Sequence, residues 1–338
     1  MKTTRDFRFD LIKAMAIGMV IVGHVLGCQE IARRDVLVDS FIIGVNMPLF
    51  FIVCGYFSVS AVENVIEAGR RCFGYLRSMF AYGCLLSLTL GLVGVYGSVG
   101  EVVKRCVTIP LFGMWFMWAL MYSLVALALI RWMIVKLQWH RIWVRVLCCA
   151  VVYVGLLALP DCLFQVKDFK YAFPFVALGY GFRRMGLLSS ARTLAGGLIW
   201  LFGVAVFACY LLFVDGRLLA FYWSSFDLLR IAGSMDQVAR FTGRIVVGVS
   251  GVIAIAWPVL LAQTPNRIFL ALSDLGKTTM GVYFLQWTVL TVLFVPAFRG
   301  CSLSFGAALG VSLVIWMICH ALVCLFRKYD FCRKIGLS

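Results

Sequence analysis

The sequence predicts an all-α, polytopic membrane protein with about ten transmembrane helices and both termini in the cytoplasm. Of its 338 residues, 63% are hydrophobic and only 14% are charged, whereas soluble proteins average about 45–50% apolar and about 25% charged residues. The apolar residues form long continuous runs. A transmembrane β-barrel would instead alternate polar and apolar residues over strands of about 10 residues. The composition therefore excludes an ordinary soluble domain and favours membrane helices.

About ten segments are apolar enough to be membrane spans, which need about 20 such residues. The fifth and sixth are short, which predicts tilting or local thinning of the bilayer. The first follows basic residues, as a signal peptide would, but it lacks a small-residue cleavage site, so we expect it to be retained. Without an internal repeat or a Pro/Gly-rich linker, the chain is predicted to be a single domain over residues 1–338. The segments are 9–29, 39–60, 78–98, 111–130, 146–160, 170–186, 193–214, 245–263, 278–298 and 303–326.

The distribution of charge orients these segments. With the N-terminus in the cytoplasm and ten spans, 20 of the 31 lysines and arginines fall on the cytoplasmic side, but only 6 of the 15 acidic residues do. Because basic residues concentrate in the cytoplasmic loops of membrane proteins, this bias supports an even number of spans. A nine-span layout would place the basic C-terminal sequence RKYDFCRK on the opposite side.

Composition also disfavours two functional classes. The net charge of +16 comes from basic residues scattered between apolar runs, as the positive-inside rule predicts, and no nucleic-acid recognition motif accompanies them. The 13 cysteines lack the spacing of a zinc site. Most of them lie within apolar segments, where cysteine is a small hydrophobic residue. We therefore expect no nucleic-acid partner, no disulfide framework and no metal site.

The most informative polar residues lie in the first segment, in the sequence DLIKAMAIGMVIVGH. Lys13 and His24 are 11 residues apart, which is about three helical turns and about 16 Å along the axis, so they share one face. Asp10 lies within about 40° of that face and can pair with Lys13 at i,i+3 spacing. Together the three residues form a polar stripe on a membrane helix, where ionisable groups are costly and usually functional.

The residues of this stripe have alternative interpretations. Lys13 can assist a reaction, or it can extend its ammonium group to the inner membrane interface. His24 can take up a proton near neutral pH as a general base, or act as a nucleophile, or it can join helices through a hydrogen bond. No Asp or Glu lies deep in any predicted span, which weighs against a proton-coupled transporter.

The polar stripe and the second predicted span carry a recognisable pattern. Asp10 to His24 match D-x-[IL]-[RK]-x-x-[AG]-[IL]-x-x-V-x-x-x-H, and Met47 to Tyr56 are similar to MPLFFFISGY. These motifs resemble the membrane acyltransferase-3 family, which consists of integral-membrane acyltransferases that modify surface glycans. Arginine is usual in the family at the position of Lys13, and many members have histidine at the position of Asn46.

Four further segments resemble the family in the same order along the chain. RSMFAY at 77–82 resembles the start of the family's third span, and Trp115-Phe116 resembles the opening of the fourth. FPFVALGYGFRR at 173–184 resembles FPFFLLGY. GKTTMGVYFLQ at 276–286 resembles G-x-x-[ST]-L-x-[IV]-Y-L-[LIV]-H, with Gln286 in place of the final histidine. The resemblance covers essentially the whole chain.

The resemblance implies an enzyme that transfers an acyl group, usually acetyl, from acyl-CoA to a hydroxyl of a cell-surface or lipid-linked glycan. It implies a protein of the cytoplasmic (inner) membrane of a bacterium, surrounded by lipid, that uses acetyl-CoA as a donor substrate and holds no permanent cofactor. His24 would be the general base or an acyl relay, with Lys13 and Asp10 assisting it. Asn46 and Gln286 would bind substrate, because an amide forms hydrogen bonds but does not transfer protons as histidine does.

Coenzyme A carries several phosphate charges, which arginine binds well. Candidate contacts lie on two predicted cytoplasmic loops, although positive-inside charge alone also explains them. Trp115 is a candidate for stacking on a sugar, or it belongs to an interfacial aromatic belt. The candidate arginines are Arg70, Arg71, Arg77, Arg131 and Arg141.

Two other functions are compatible with the sequence. A transporter or flippase of a glycan or lipid-linked sugar explains the ten predicted spans and the polar stripe, but not the spacing of Lys13 and His24. A membrane scaffold without catalysis predicts that His24 tolerates substitution.

Overall fold

The computed structural model describes residues 6–27, 36–138, 141–160, 164–186, 193–213, 235–298 and 303–337. Every regular element within these residues is helical and none is a β-strand, which confirms the all-α prediction. Two of the elements are π-helical turns, π1 (Ile109–Gly113) and π2 (Leu290–Phe294). The α-helices are α1 (Phe7–Gly27), α2 (Val36–Tyr56), α3 (Val59–Glu63), α4 (Val65–Leu92), α5 (Val99–Thr108), α6 (Trp115–Lys136), α7 (Ile142–Leu157), α8 (Val166–Arg184), α9 (Leu194–Phe213), α10 (Met235–Leu261), α11 (Arg267–Gly276), α12 (Thr279–Val289), α13 (Val295–Ala297), α14 (Phe305–Lys328) and α15 (Asp330–Ile335).

Seven helices in the described part of the chain are long and apolar enough to cross a membrane. They are α1, α4, α6, α9, α10, α14 and the continuous run Thr279–Ala297. Two further predicted segments coincide with shorter apolar helices, Ser40–Tyr56 and Val146–Leu157. The remaining one, 170–186, falls on α8, which carries five charged residues. The chain is thus a multi-pass membrane protein, while the count of ten spans and the cytoplasmic termini stay predictions.

The prediction that the candidate arginines lie on loops is wrong for most of them. Because α4 begins at Val65, Arg70, Arg71 and Arg77 all lie on that helix. Arg131 lies in α6, and only Arg141 precedes a helix, at the start of α7. Hydropathy detects the apolar part of a helix but not its polar extension beyond the hydrocarbon, and α4 begins with such an extension.

Local signals determine where several helices begin. Ser98, Asn266 and Ser304 precede α5, α11 and α14, and each side-chain oxygen accepts a hydrogen bond from the backbone N–H three residues later, at 3.2, 2.7 and 3.3 Å. Such N-caps satisfy backbone donors that have no partner within the helix. The residue Asn266 therefore determines where α11, which packs against α1, begins.

The helices group into two compact units, and the first comprises Met1–Met47, Gly74–Met114 and Pro258–Ser338. In this unit α1 packs against α11, α12 and α14, and α12 packs against α14. Glycines allow very close approaches: a Cβ added to Gly276 would lie 1.8 Å from the Asp10 carbonyl oxygen, and one added to Gly281 would lie 2.5 Å from the Val323 side chain. The N-terminal helix is thus held by helices from the C-terminal part of the chain.

The second unit comprises Pro48–Phe73 and Trp115–Trp257. Here α6 packs against α3, α7 and α8. The end of α2 meets α8, where a Cβ added to Gly55 or Gly179 would lie 2.1 or 1.9 Å from a carbonyl oxygen of the opposite helix. Arg183 donates a hydrogen bond of 2.9 Å to Tyr56 Oη at the same crossing. Two of the motifs quoted above, 47–56 and 173–184, therefore meet in the folded chain. The prediction of one domain over the whole chain stays a prediction.

We expect Gly276→Ala to destabilise the protein by about 1–3 kcal/mol, as overpacking does elsewhere, because the group that an added Cβ meets is backbone and not a flexible side chain. Gly310→Ala on α14 is the matched control, since a Cβ there has no neighbour within 4 Å. The control should be neutral or more stable by about 0.5–1 kcal/mol. Thermal unfolding in detergent measures both, and an equal Tm for the two variants would contradict the close contact of α1 and α11.

Candidate active site

An ion pair occupies the first part of α1. Lys13 Nζ lies 3.2 Å from Asp10 Oδ1, so the predicted i,i+3 pair is formed. The Asp10 side chain is only 2% exposed and that of Lys13 is 27% exposed. The carboxylate is therefore buried within the helix packing, while the ammonium group is partly exposed. A buried carboxylate is tolerated because a cation compensates its lost hydration.

His24 lies in the last turn of α1, which belongs to the first compact unit. The ring is half-buried, and its Nδ1 atom is buried without a hydrogen-bond partner among the described residues. The indole of Trp287, on α12, lies beside it with ring centroids 4.6 Å apart and planes tilted by 39°. A buried nitrogen without a partner costs free energy, so this atom is a natural binding point for a substrate group.

Gln286 is the second polar group at this position. The residue is 2% exposed, and both amide atoms of its side chain are buried without a hydrogen-bond partner in the described part of the chain. The amide approaches His24 closely enough to interact with the imidazole, although no hydrogen bond of normal geometry joins them. Folded proteins pair about 90% or more of such buried groups. An imidazole and an amide with unused hydrogen-bonding capacity thus lie next to each other.

The helix that carries Gln286 and Trp287 is held in place by Tyr82 of α4. The Tyr82 ring stacks on Phe284, with centroids 4.8 Å apart and planes 14° from parallel. Its hydroxyl donates a 2.7 Å hydrogen bond to the Leu337 carbonyl, which follows α15. Directly after α12 the chain forms π2, and π-helical turns often occur at functional sites. These contacts restrain α12 two residues before Gln286.

Known proteins that resemble the chain identify its family. A family model described as an acyltransferase domain matches residues 6–321. The chain belongs to the acyltransferase-3 family. Nodulation protein NolL of Sinorhizobium fredii (strain NBRC 101917 / NGR234) is 25% identical over 345 residues, which cover 93% of this chain and 89% of NolL. Nodulation protein NolL of Mesorhizobium japonicum (strain LMG 29417 / CECT 9101 / MAFF 303099) is 24% identical over 356 residues, which cover 98% and 90%. No solved structure matches the chain. The protein is therefore an O-acyltransferase enzyme.

The fold of this acyltransferase-3 protein brings together the ends of its first and last motifs. His24 ends the first motif and Gln286 ends the last, and the two side chains are neighbours in the first compact unit. Trp287, which contacts His24, was not among the residues predicted from sequence. Its only sequence signal is its place directly after the last motif position, where an apolar helix gives no reason to single out one aromatic residue.

Asn46 lies on α2 of the acyltransferase and is 8% exposed. Its Oδ1 accepts a 2.6 Å hydrogen bond from the backbone N–H of Met47. This contact engages the amide oxygen with the helix itself, just before Pro48, which lies inside α2. A substrate-binding function for Asn46 stays a prediction.

The candidate arginines of the acyltransferase differ in their contacts with other residues and in their exposure. Arg71 donates hydrogen bonds to the Phe57 carbonyl at 3.1 Å and to Ser60 Oγ at 2.8 Å, so it joins α4 to α3 and the turn before it. The Arg70 side chain is 77% exposed, with Glu67 at 3.8 Å. Arg77 and Arg141 are exposed and Arg131 is half-buried. Contacts of these arginines with coenzyme A stay predictions, and Arg71 is the member with the most evident structural function.

Trp115 begins α6 and belongs to an aromatic cluster of the second unit. Its ring centroid lies 6.3 Å from that of Phe51 and 6.4 Å from that of Phe116. These contacts explain its position through packing of α2 against α6. Stacking on a sugar stays a prediction for this residue.

Proposed function

We propose that this acyltransferase transfers an acyl group, acetyl in the simplest case, from acyl-CoA to a hydroxyl of a cell-surface or lipid-linked glycan. It would act in the cytoplasmic (inner) membrane of a bacterium, with ten spans and both termini in the cytoplasm. The observation that carries the proposal is the neighbouring pair of His24 and Gln286, in which the imidazole Nδ1 and both amide atoms are buried without hydrogen-bond partners in the described structure. A reaction that adds a hydroxyl to a thioester supplies both a proton donor and a carbonyl oxygen for such a pair.

In the proposed reaction His24 accepts the proton of the acceptor hydroxyl while the hydroxyl oxygen attacks the thioester carbonyl carbon. The carbon–sulfur bond then breaks, and the coenzyme A sulfur takes the proton from His24. A positioned general base contributes about 10²–10⁴-fold to a rate. A relay in which the His24 ring is acylated first, and then deacylated by the acceptor, satisfies the same geometry.

Gln286 would stabilise the charge that develops during this attack. The thioester oxygen becomes negative in the transition state, and its best partner is a fixed N–H donor in a site that excludes water. The Gln286 side-chain N–H is buried and free of other partners within the described residues. An amide does not titrate, so this donor would be present at every pH at which the enzyme works.

Lys13 and Asp10 would help to bind the acyl-CoA donor. Lys13 is about 16 Å from His24 along α1, toward the end that the charge distribution places in the cytoplasm. Its ammonium would attract the anionic coenzyme, and Asp10 would hold it in position through the 3.2 Å ion pair. Arg70, Arg77 and the other candidate arginines would contact coenzyme phosphates.

One genetic experiment separates this function from transport. We expect a strain that lacks the gene to lose acyl esters from a surface polysaccharide, measured by mass spectrometry or NMR, and the wild-type gene to restore them. Purified protein should also hydrolyse acetyl-CoA slowly without an acceptor. If deletion alters glycan export but leaves the acyl esters unchanged, the protein is a transporter or flippase and the proposal fails.

A further inference from the structure

A second histidine of the first compact unit, His320 on α14, has both ring nitrogens engaged. Its Nδ1 lies 2.8 Å from Thr278 Oγ1, in the turn between α11 and α12. Its Nε2 lies 3.6 Å from the sulfur of Cys324, one helical turn further along α14. The proposed reaction uses none of these three residues. Cys324 and His320 are both half-buried, so neither is sealed within the helix packing.

The hydrogen bonds around Thr278 determine the tautomer of His320. The Thr278 hydroxyl donates its single proton to the Leu275 carbonyl, 2.9 Å away. Thr278 Oγ1 must therefore accept the hydrogen bond from His320, which places the ring proton on Nδ1. A neutral imidazole carries only one N–H. His320 Nε2 is consequently an unprotonated acceptor that faces the Cys324 thiol.

This arrangement matches the general design of an activated nucleophile. A thiol lies within reach of a base, and a third group orients the base. The charged groups near this end of α14 are of both signs. Arg327, three residues after Cys324, donates a 3.0 Å hydrogen bond to the Lys277 carbonyl, while Asp274 is paired with the Lys277 side chain. In the proposed orientation this end of α14 lies at the cytoplasmic side, where anionic acyl-CoA is present.

We propose that Cys324, His320 and Thr278 form an acyl-accepting triad that takes an acyl group from acyl-CoA onto the Cys324 sulfur. The inference rests on the proposed donor and orientation. His320 Nε2 takes the thiol proton, the Cys324 sulfur bonds to the acyl carbonyl carbon, and the bond from that carbon to the coenzyme sulfur breaks. The proton passes from His320 to the departing coenzyme, which leaves as the free thiol. One thioester replaces another, so no oxidant or reductant is required.

The test uses the purified full-length chain and acetyl-CoA in excess. Intact-protein mass spectrometry should show an acetyl adduct that neutral hydroxylamine removes, and peptide mapping should place it on Cys324. Cys324→Ser should lose the hydroxylamine-sensitive adduct. Thr278→Val, which removes the acceptor for Nδ1–H while keeping the side-chain shape, should slow its formation about tenfold or more. His320→Gln should slow it further. Cys319→Ser is the matched control, because Cys319 lies on the same helix but is fully buried.

The possible results separate this inference from the proposed function. Peptide mapping of the wild-type protein shows whether Cys324 carries the acyl group, even if a variant fails to fold. If wild-type protein transfers acyl groups to glycan but carries no thioester on Cys324, the triad is wrong and the proposed function stands. If Cys324 is acetylated but deletion of the gene leaves all glycan esters in place, the triad stands and the proposed function is wrong. Adduct formation that is equal in wild type and His320→Gln also overturns the triad.

Discussion

His24→Ala is expected to lower the rate of acyl transfer by about 10²–10⁴-fold, the usual contribution of a positioned general base. The expected reason is that neither Trp287 nor Gln286, the two side chains described next to His24, can accept the hydroxyl proton, because an indole and an amide do not act as bases at neutral pH. The measurement is the transfer of labelled acetyl from acetyl-CoA in proteoliposomes, with the amount of folded protein checked by size-exclusion chromatography.

Two further variants separate catalysis from packing in this experiment. His24→Gln keeps a polar side chain that forms hydrogen bonds but removes the proton acceptor, so it should be as inactive as His24→Ala. Added imidazole should restore part of the activity of His24→Ala, since the truncated side chain leaves space beside Trp287. Activity of the alanine variant within about twofold of wild type would exclude both the general base and the acyl relay.

Gln286→Leu is expected to lower kcat by about 10²–10³-fold, the usual cost of removing one donor to an oxyanion. Because the proposed hydrogen bond forms mainly in the transition state, the KM for acetyl-CoA should change little. Steady-state kinetics of the purified enzyme measure the two constants separately. A raised KM with unchanged kcat would show that Gln286 only binds substrate.

Gln286→His is the matched variant for that experiment, because it introduces the residue that the family pattern has at this position. The imidazole can still donate an N–H, so we expect it to retain more activity than Gln286→Leu. Its pH–activity profile should also gain a second ionisation beside that of His24, since an imidazole titrates near pH 6.5 in its ordinary range and the Gln286 amide does not titrate. Full activity with the same pH profile as wild type would argue against a donor at this position.

Local features of the active-site helix could be predicted well from the sequence. The i,i+3 spacing of Asp10 and Lys13 predicts their pair, and the pair is formed at 3.2 Å. Helical periodicity also places Lys13 and His24 on one face of the same helix. These relations depend only on the geometry of one continuous helix, so no tertiary information is needed to obtain them.

Long-range features could not be predicted in the same way. The contact of His24 with Trp287 depends on how α1 meets α12, and the close contact of Gly276 with the Asp10 backbone holds α11, the helix directly before α12, against α1. The sequence around a glycine in an apolar helix does not indicate which other helix will pack against that glycine. The arginines of α4 were misplaced for a related reason, because hydropathy measures preference for lipid and does not report helix beyond the hydrocarbon.

The packing of α1 also has a consequence for the biogenesis of the enzyme. The helices that pack most extensively against α1 are α11, α12 and α14, and the first of them begins about 260 residues after the start of α1. At a synthesis rate of about 5–20 residues per second, that delay is about 13–50 s. During this interval the surface of α1 that α11 later covers is open, whereas the Asp10–Lys13 pair can already form because both residues lie in the same helix. In ribosome-bound chains that end before α11, the part of α1 that Gly276 contacts in the folded protein should therefore be accessible. Cysteine crosslinking of nascent chains of increasing length would show when this part of α1 becomes buried.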